Sequence, residues 1–183
     1  MTDDNQDTDF SESNPENEVD FHFMQEAINV AREAEAAGDI PVGAVIVFEG
    51  EVIARAGNGR KIHGDPTAHA EVVALRLAAE KIGHWRLHGC TLYVTLEPCL
   101  MCSGAIILSR VDRVVFASED PKAGAVTSLY RVLEDTRLNH RPEVTSGIRA
   151  EECSEMLRAF FRTRRAESAK KKKRRGDREA EGA

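Results

Sequence analysis

The stretches His69-Ala70-Glu71 and Pro98-Cys99-Leu100-Met101-Cys102 decide most of what this sequence implies, its fold included. One histidine and two cysteines supply the nitrogen and sulfur donors that a tetrahedral zinc ion accepts. Cys99 and Cys102 are three residues apart, so on a helix they lie on the same face and can bind one metal ion. The two stretches together predict a metal centre, with His69 as the third ligand.

The ligand set is typical of a catalytic rather than a structural metal. No fourth cysteine or histidine lies at metal-binding spacing beside either stretch, and Pro98 marks a position where a helix can begin. The helix N-terminus would favour the thiolates that zinc requires. Three protein ligands leave a position for a water, whose pKa falls towards ~7 on zinc. Glu71 is not needed as a ligand, so it is placed to move protons between that water and a substrate.

Each stretch alone permits other interpretations. A histidine and a glutamate at this spacing are common on solvated helix faces, and a Cys-x-x-Cys pair also occurs in redox sites or as a chance buried pair. A redox site would need a thioredoxin-like βαβ context, whereas the apolar residues 106–108 continue a buried helix. The combination, with the strand-like residues 91–95 before the second stretch, favours catalytic zinc.

The composition is that of a soluble globular protein. The chain has 183 residues, of which 42% are hydrophobic and 31% charged, enough for one domain with a buried core. No apolar run approaches membrane-spanning length, and the acidic N-terminus does not resemble a signal peptide. With two of the four cysteines assigned to metal, we expect a cytoplasmic, reducing location and no membrane partner.

The net charge of −6 is distributed unevenly. Residues 1–20 contain eight acidic and no basic side chains, whereas residues 162–183 contain ten basic and four acidic ones. We expect 1–19 to be a disordered acidic extension, 20–165 the folded domain, and 166–183 a basic, disordered tail. The basic end suggests a polyanionic partner such as nucleic acid, although a solvated tail that aids solubility fits the charge equally well.

Hydrophobic periodicity and turn residues predict a helix followed by a β-hairpin. Asp20 is a predicted helix N-cap, and Gly38 ends this helix. Residues 43–48 and 51–56 are predicted strands, joined by a tight turn at Glu49-Gly50.

Helices and strands then alternate along the chain. A helix follows His69, a strand is predicted at 90–95, a helix contains the two cysteines, and a strand is predicted at 111–117. Such alternation indicates parallel pairing of strands. Helical spacing of apolar residues predicts a last helix from 150 to at least 165.

The region from about 20 to 165 resembles the bacterial tRNA-specific adenosine deaminases, within the cytidine-deaminase-like superfamily. Beyond the metal motifs, the resemblance rests on several short segments. These are residues 41–45, Gly57-Asn58, 65–71, 92–99, 113–116, 120–125, Ser128-Leu129, 138–141 and 160–165. The family converts adenosine to inosine at the wobble position of a tRNA anticodon. The resemblance implies an α/β fold, a three-layer α/β/α arrangement with a mixed five-stranded sheet, and a homodimer.

The resemblance also implies roles for individual residues. It makes His69, Cys99 and Cys102 the ligands of one zinc ion per chain and Glu71 the proton shuttle. Asn58 would hold the flipped base. Contacts to the flanking nucleotides are implied for Asp120, Lys122, Asn139 and Arg162.

The predicted C-terminal helix bears on the class of substrate. Phe160 and Phe161 are adjacent and point in different directions, so one is expected to pack into the body while the other, assigned as Phe161, stacks beside RNA. Arg162 and Arg165 share a helix face and can meet the phosphate backbone. Alternatively, both phenylalanines belong to the core and the arginines form a solvated face.

The expected function is therefore hydrolytic deamination of adenosine in a tRNA anticodon stem-loop, by a zinc-activated water with Glu71 as proton shuttle. Two other functions remain open. One is the same chemistry on free cytosine, guanine or a nucleotide, which would not need the aromatic and basic residues 160–175. The other is a non-catalytic zinc module that binds RNA, which would need neither Glu71 nor an open metal position.

Overall fold

A mixed five-stranded sheet forms the centre of the molecule. The computed structural model describes the backbone of residues 15–181 and the side chains of residues 17–172. The strand order is β2-β1-β3-β4-β5, where β1 pairs antiparallel with both β2 and β3, and β4 pairs parallel with both β3 and β5. The strands are β1 Gly43–Phe48, β2 Glu51–Gly57, β3 Cys90–Leu96, β4 Arg113–Ser118 and β5 Glu143–Ser146. The predicted hairpin, parallel pairing and mixed five-stranded sheet are confirmed.

Five α-helices and one short 3₁₀ helix surround the sheet in the described residues. They are α1 Pro15–Ala36, α2 Arg60–His63, α3 Ala70–Ile82, α4 Leu100–Ser109, the 3₁₀ helix Val132–Glu134, and α5 Ala150–Glu181. Within this part of the chain, no helix combines the length and the apolar character needed to cross a membrane.

Two apolar clusters, one on each face of the sheet, create the three layers. Strand side chains alternate between the faces because successive residues of a strand point in opposite directions. Val45, Tyr93 and Val115 pack against α1 and the start of α5, whereas Ile46, Leu92 and others pack against α3 and α4. The predicted α/β/α arrangement is confirmed, and it places the N-termini of α3 and α4 on the same face.

The N-terminal helix begins earlier than the sequence predicts. Asp20 is not an N-cap, because α1 starts at Pro15 and Asp20 lies inside the helix. Its buried carboxylate accepts hydrogen bonds from the Tyr93 hydroxyl at 2.8 Å and from two Arg113 nitrogens at 2.7 Å each. The side chain that could have capped a helix instead joins α1 to β3 and β4. Residues 15–19 are therefore helical, and the expected disorder of 1–14 lies outside the described residues.

The C-terminal helix continues further than the sequence predicts. The chain was expected to become disordered at 166, whereas α5 remains helical to Glu181, and 182–183 lie outside the described residues. Alanine, glutamate, lysine and arginine dominate this stretch, and all four have high helix propensity. Side chains 166–172 are exposed to solvent, so this part of α5 is not packed into the core.

Candidate active site

The three predicted metal ligands meet where two helices begin. His69 is the N-cap residue of α3, Cys99 is the N-cap residue of α4, and Cys102 lies in the first turn of α4. The two sulfurs are 3.6 Å apart, and the His69 Nδ1 lies 3.7 Å from the Cys99 sulfur and 3.5 Å from the Cys102 sulfur. Zinc–sulfur and zinc–nitrogen bonds of ~2.3 and ~2.1 Å place tetrahedral ligands about 3.6–3.8 Å apart. The donors therefore fit a zinc ion.

The ionisation of the two cysteines also fits a cation. A hydrogen bond with Cys102, together with the contact to His69, lowers the pKa of Cys99 to about 3 despite its burial. The same contact with Cys99, together with burial, raises the pKa of Cys102 well above its usual range. Two adjacent buried sulfurs do not both ionise by themselves, but a bound dication makes two thiolates favourable.

Glu71 lies beside the ligands without being one of them. It occupies the first turn of α3, is almost fully buried, and lines the same cavity as His69 and Cys99. Burial is the main cause that raises the pKa of its carboxyl group. A buried carboxyl group that holds a proton more readily than usual is suited to general acid–base chemistry.

A cavity of about 720 Å³ opens above this centre. Its walls come from the loop after β2, the segment after β4, and one face of α5. Of the residues proposed from the sequence to contact substrate, six line the cavity: Asn58, Asp120, Lys122, Phe161, Arg162 and Arg165.

Asn139 is the exception among these residues. It lies in the connection before β5, where its Oδ1 accepts a hydrogen bond of 2.8 Å from Arg110. Arg110 is the C-cap residue of α4, at the opposite end of that helix from the metal ligands. The structure does not bring Asn139 to the cavity of its own chain, so its predicted contact with the substrate gains no support from the fold. That contact, which was implied by the family resemblance, therefore stays a prediction.

Asn58 is held by a residue that sequence reasoning missed. Its Nδ2 donates a hydrogen bond of 2.7 Å to the buried carboxylate of Asp39. That carboxylate also accepts the backbone N–H groups of Ile40, Lys61 and Ile62 at 2.7–3.2 Å. One amide hydrogen of Asn58 is thereby committed, which orients the side chain and leaves its Oδ1 available to a ligand. The sequence signal was weak, since Asp39 follows a glycine in an apparent loop.

The two phenylalanines of α5 differ as predicted. Phe160 is 9% exposed and belongs to the core, whereas Phe161 is 42% exposed and lines the cavity. Arg162 and Arg165 are exposed on the same wall, and Arg162 forms an ion pair of 3.4 Å with Glu155. The expectation that one ring packs into the body and the other faces the site is confirmed.

Comparison with known proteins identifies the family. Residues 17–118 match the family model of the cytidine and deoxycytidylate deaminase zinc-binding region. The tRNA-specific adenosine deaminase of Bacillus subtilis (strain 168) is 52% identical over 151 residues, which cover 82% of this chain and 91% of that protein. The chain belongs to the tRNA-specific adenosine deaminases.

Solved structures of deaminases share the fold. One comes from biochemical and structural studies of A-to-I editing by tRNA:A34 deaminases at the wobble position of transfer RNA. It is 46% identical, with a TM-score of 0.72, and the match covers 74% of this chain and 99% of that one. A guanine deaminase from Bacillus subtilis is 44% identical, with a TM-score of 0.53, over 54% of this chain and 63% of that one. The fold of this chain is therefore common to deaminases with different substrates.

Proposed function

We propose that this protein hydrolyses adenosine to inosine at the wobble position of a tRNA anticodon. The observation that supports this most is the cavity itself. Its floor contains the His69–Cys99–Cys102 donor set and Glu71, and its rim carries exposed Phe161 and two arginines. A floor suited to deamination and a rim suited to a nucleic acid occur in one continuous site.

The residues of the floor account for a hydrolytic deamination. A zinc ion held by the three ligands would supply the acidity that activates water at neutral pH. Glu71 accepts a proton from the attacking water and delivers it to N1 of the adenine as the water oxygen bonds to C6. Glu71 then moves the second proton of that water, which remains on the oxygen bonded to C6, to the exocyclic amine. The C6–N6 bond breaks and ammonia leaves. One water is consumed, and one inosine and one ammonia are formed.

The residues of the wall account for an RNA substrate. An anticodon loop presents its bases in single-stranded form, so moving one base into a pocket costs little unstacking. Asn58 would hold the target base through its free amide oxygen. Phe161 would stack beside a base, and Arg162 and Arg165 would contact phosphates. Asp120 and Lys122, on the opposite wall, would contact flanking nucleotides.

A free nucleobase is the alternative substrate, since a guanine deaminase shares the core. It is less well supported because a free base would occupy only the floor of the cavity. The exposed aromatic ring and the arginines of α5 would then have no role in substrate binding.

We further infer that the protein forms a homodimer, that each chain binds one zinc ion, and that the protein is cytoplasmic. Leu108 is 69% exposed on α4, although its neighbours Ile106 and Ile107 are buried in the core. Leu100, Met101, Leu129 and Tyr130 are further large apolar side chains exposed to solvent. Such exposure supports contact with a second copy. Four free cysteines agree with a reducing compartment. Multi-angle light scattering should give a dimer for the wild type and a monomer for Leu108→Glu, and metal analysis gives the zinc content.

One experiment tests the proposed reaction. The zinc-loaded protein is incubated with an anticodon stem-loop carrying adenosine at the wobble position, and inosine is detected by sequencing. Parallel reactions contain free guanine, free cytosine, or the stem-loop with its only adenosine moved to the stem. Inosine at the wobble position alone supports the proposal. Ammonia release from a free base, without inosine in RNA, would establish the small-substrate function instead.

A further inference from the structure

Another buried carboxylate, that of Glu97, organises the wall opposite α5. Glu97 follows directly after β3 and is 2% exposed. Its Oε1 accepts the backbone N–H groups of Val126, Thr127 and Ser128 at 3.0, 2.7 and 2.9 Å. Its Oε2 accepts the backbone N–H of Asp120 at 2.9 Å and the hydroxyl of Ser128. One side chain thus binds both ends of the segment 120–128.

This segment connects the cavity wall to the metal centre. Its first half, Asp120 to Ala123, lines the cavity. Its second half contacts the chain just before α4, because the Ala125 N–H donates to the Pro98 carbonyl at 2.9 Å and Gly124 forms a β-bridge with Cys99. A displacement of the segment would therefore move one wall of the cavity relative to the metal ligands.

Gly124 shows how closely the carboxylate and the segment approach each other. A Cβ atom added at Gly124 would lie 2.2 Å from Oε2 of Glu97 and 2.6 Å from the Asp120 carbonyl oxygen. Both distances are far shorter than a van der Waals contact, so any side chain at this position would force the carboxylate and the segment apart. The glycine is required by this packing.

The contacts of Glu97 distinguish it from a catalytic group. Six hydrogen bonds, one of them from the Thr127 hydroxyl, occupy its two oxygens, which leaves little capacity for a substrate. A buried charge is costly unless such donors compensate it, so the carboxylate and the segment depend on each other.

We infer that Glu97 is a positioning residue, which holds the segment 120–128 so that Asp120 and Lys122 meet the nucleotide next to the target base. The inference rests on the proposed function, because it assigns this wall to RNA. Substrate binding requires the held conformation, so the apparent affinity falls in proportion to the fraction of molecules that keep it.

Glu97→Gln tests this with almost no change in shape. The amide oxygen can replace only one carboxylate oxygen, and the amide nitrogen then faces N–H donors instead of accepting from them. Losing one or two charge-assisted hydrogen bonds should raise KM for the stem-loop by roughly 10- to 100-fold. The value of kcat should change by less than about threefold, because the loss acts on binding and not on the acid–base step. Zinc content should be unchanged.

Hydrogen–deuterium exchange supplies a readout that does not depend on turnover. In the zinc-loaded variant, the amides of Asp120, Val126, Thr127 and Ser128 should exchange faster than in the wild type. Glu80→Gln is the matched control, since Glu80 is exposed on α3 and outside the cavity, and its exchange and kinetics should equal those of the wild type. Ser128→Ala removes a single donor and should show the same effects in weaker form, even if Glu97→Gln does not fold.

Three results would overturn the inference. Unchanged exchange in both variants would show that Glu97 does not hold the segment. Faster exchange with unchanged KM would show that the segment does not meet RNA. A wild type that deaminates only a free base would overturn the proposed function as well, whereas the first two results leave wobble deamination by the wild type intact.

Discussion

Replacing Arg162 and Arg165 together by alanine should weaken tRNA binding and reduce its dependence on salt. Both side chains are exposed on the wall that α5 contributes to the cavity. If each meets one phosphate of the single-stranded loop, each contributes about 0.7 to the slope of log affinity against log salt. The double variant should therefore lose about 1.4 from this slope. Between about 50 and about 200 mM salt, the affinity gap between wild type and variant should shrink by about sevenfold.

Folding should be little affected by the same change. The ion pair of Arg162 with Glu155 is 3.4 Å long and exposed on both sides, and such surface pairs contribute only ~0–1 kcal/mol. The melting temperature and zinc content should therefore stay close to those of the wild type. An effect on RNA without an effect on stability would separate a binding role from a structural one.

The assay is filter binding to the anticodon stem-loop at several salt concentrations, together with kcat/KM at each. Arg32→Ala plus Arg137→Ala is the matched control, because it removes the same charge from two exposed, ion-paired arginines outside the cavity. That control should keep the wild-type slope. If the Arg162 and Arg165 variant keeps the wild-type kcat/KM at every salt concentration, α5 does not contact RNA and the free-base alternative gains support.

Three further predictions concern the floor of the site and the wall after β2. Glu71→Ala should keep its zinc and still bind RNA while kcat falls by ~10²–10⁴-fold; zinc loss in this variant would show that Glu71 is a ligand. Cys102→Ala should lose both metal and activity, as measured by metal analysis and inosine formation, and full activity after exhaustive chelation would contradict the zinc site. Burial raises the pKa of Asp39, but hydrogen bonds from Ile40, from Asn58 and from two backbone N–H groups of α2 outweigh burial and lower it below 3.8. Its ionised form therefore stabilises the folded state above that pH, and this contribution is lost as the pH falls through the lowered pKa. In the Asp39→Asn variant, the melting temperature should fall less steeply as the pH is lowered, and KM should rise. If the melting temperature falls with pH as it does in the wild type, Asp39 is not the group responsible.

The sequence by itself determined the features that depend on local chemistry. The metal donors and Glu71 could be found because ligand type and short spacing limit what a zinc ion accepts. The hairpin followed from the turn-forming pair Glu49-Gly50 between two strand-like runs, and in the structure both residues adopt positive φ. The burial of Phe160 and the exposure of Phe161 followed from helix geometry, since adjacent residues of a helix point in different directions.

Only the tertiary structure decided the features whose partners lie far away in the chain. The side chain of Asp20 favours a helix N-cap locally, but Arg113, 93 residues later, bonds to its carboxylate and makes an interior helical position favourable. Asp39 and Glu97 have no local pattern, because the N–H groups that they bind lie 19 to 31 residues away, apart from that of Ile40. A buried carboxylate is stable only where folding brings such donors together. Spacing rules extend over a few residues, so they identified the floor of the cavity but not what holds its walls.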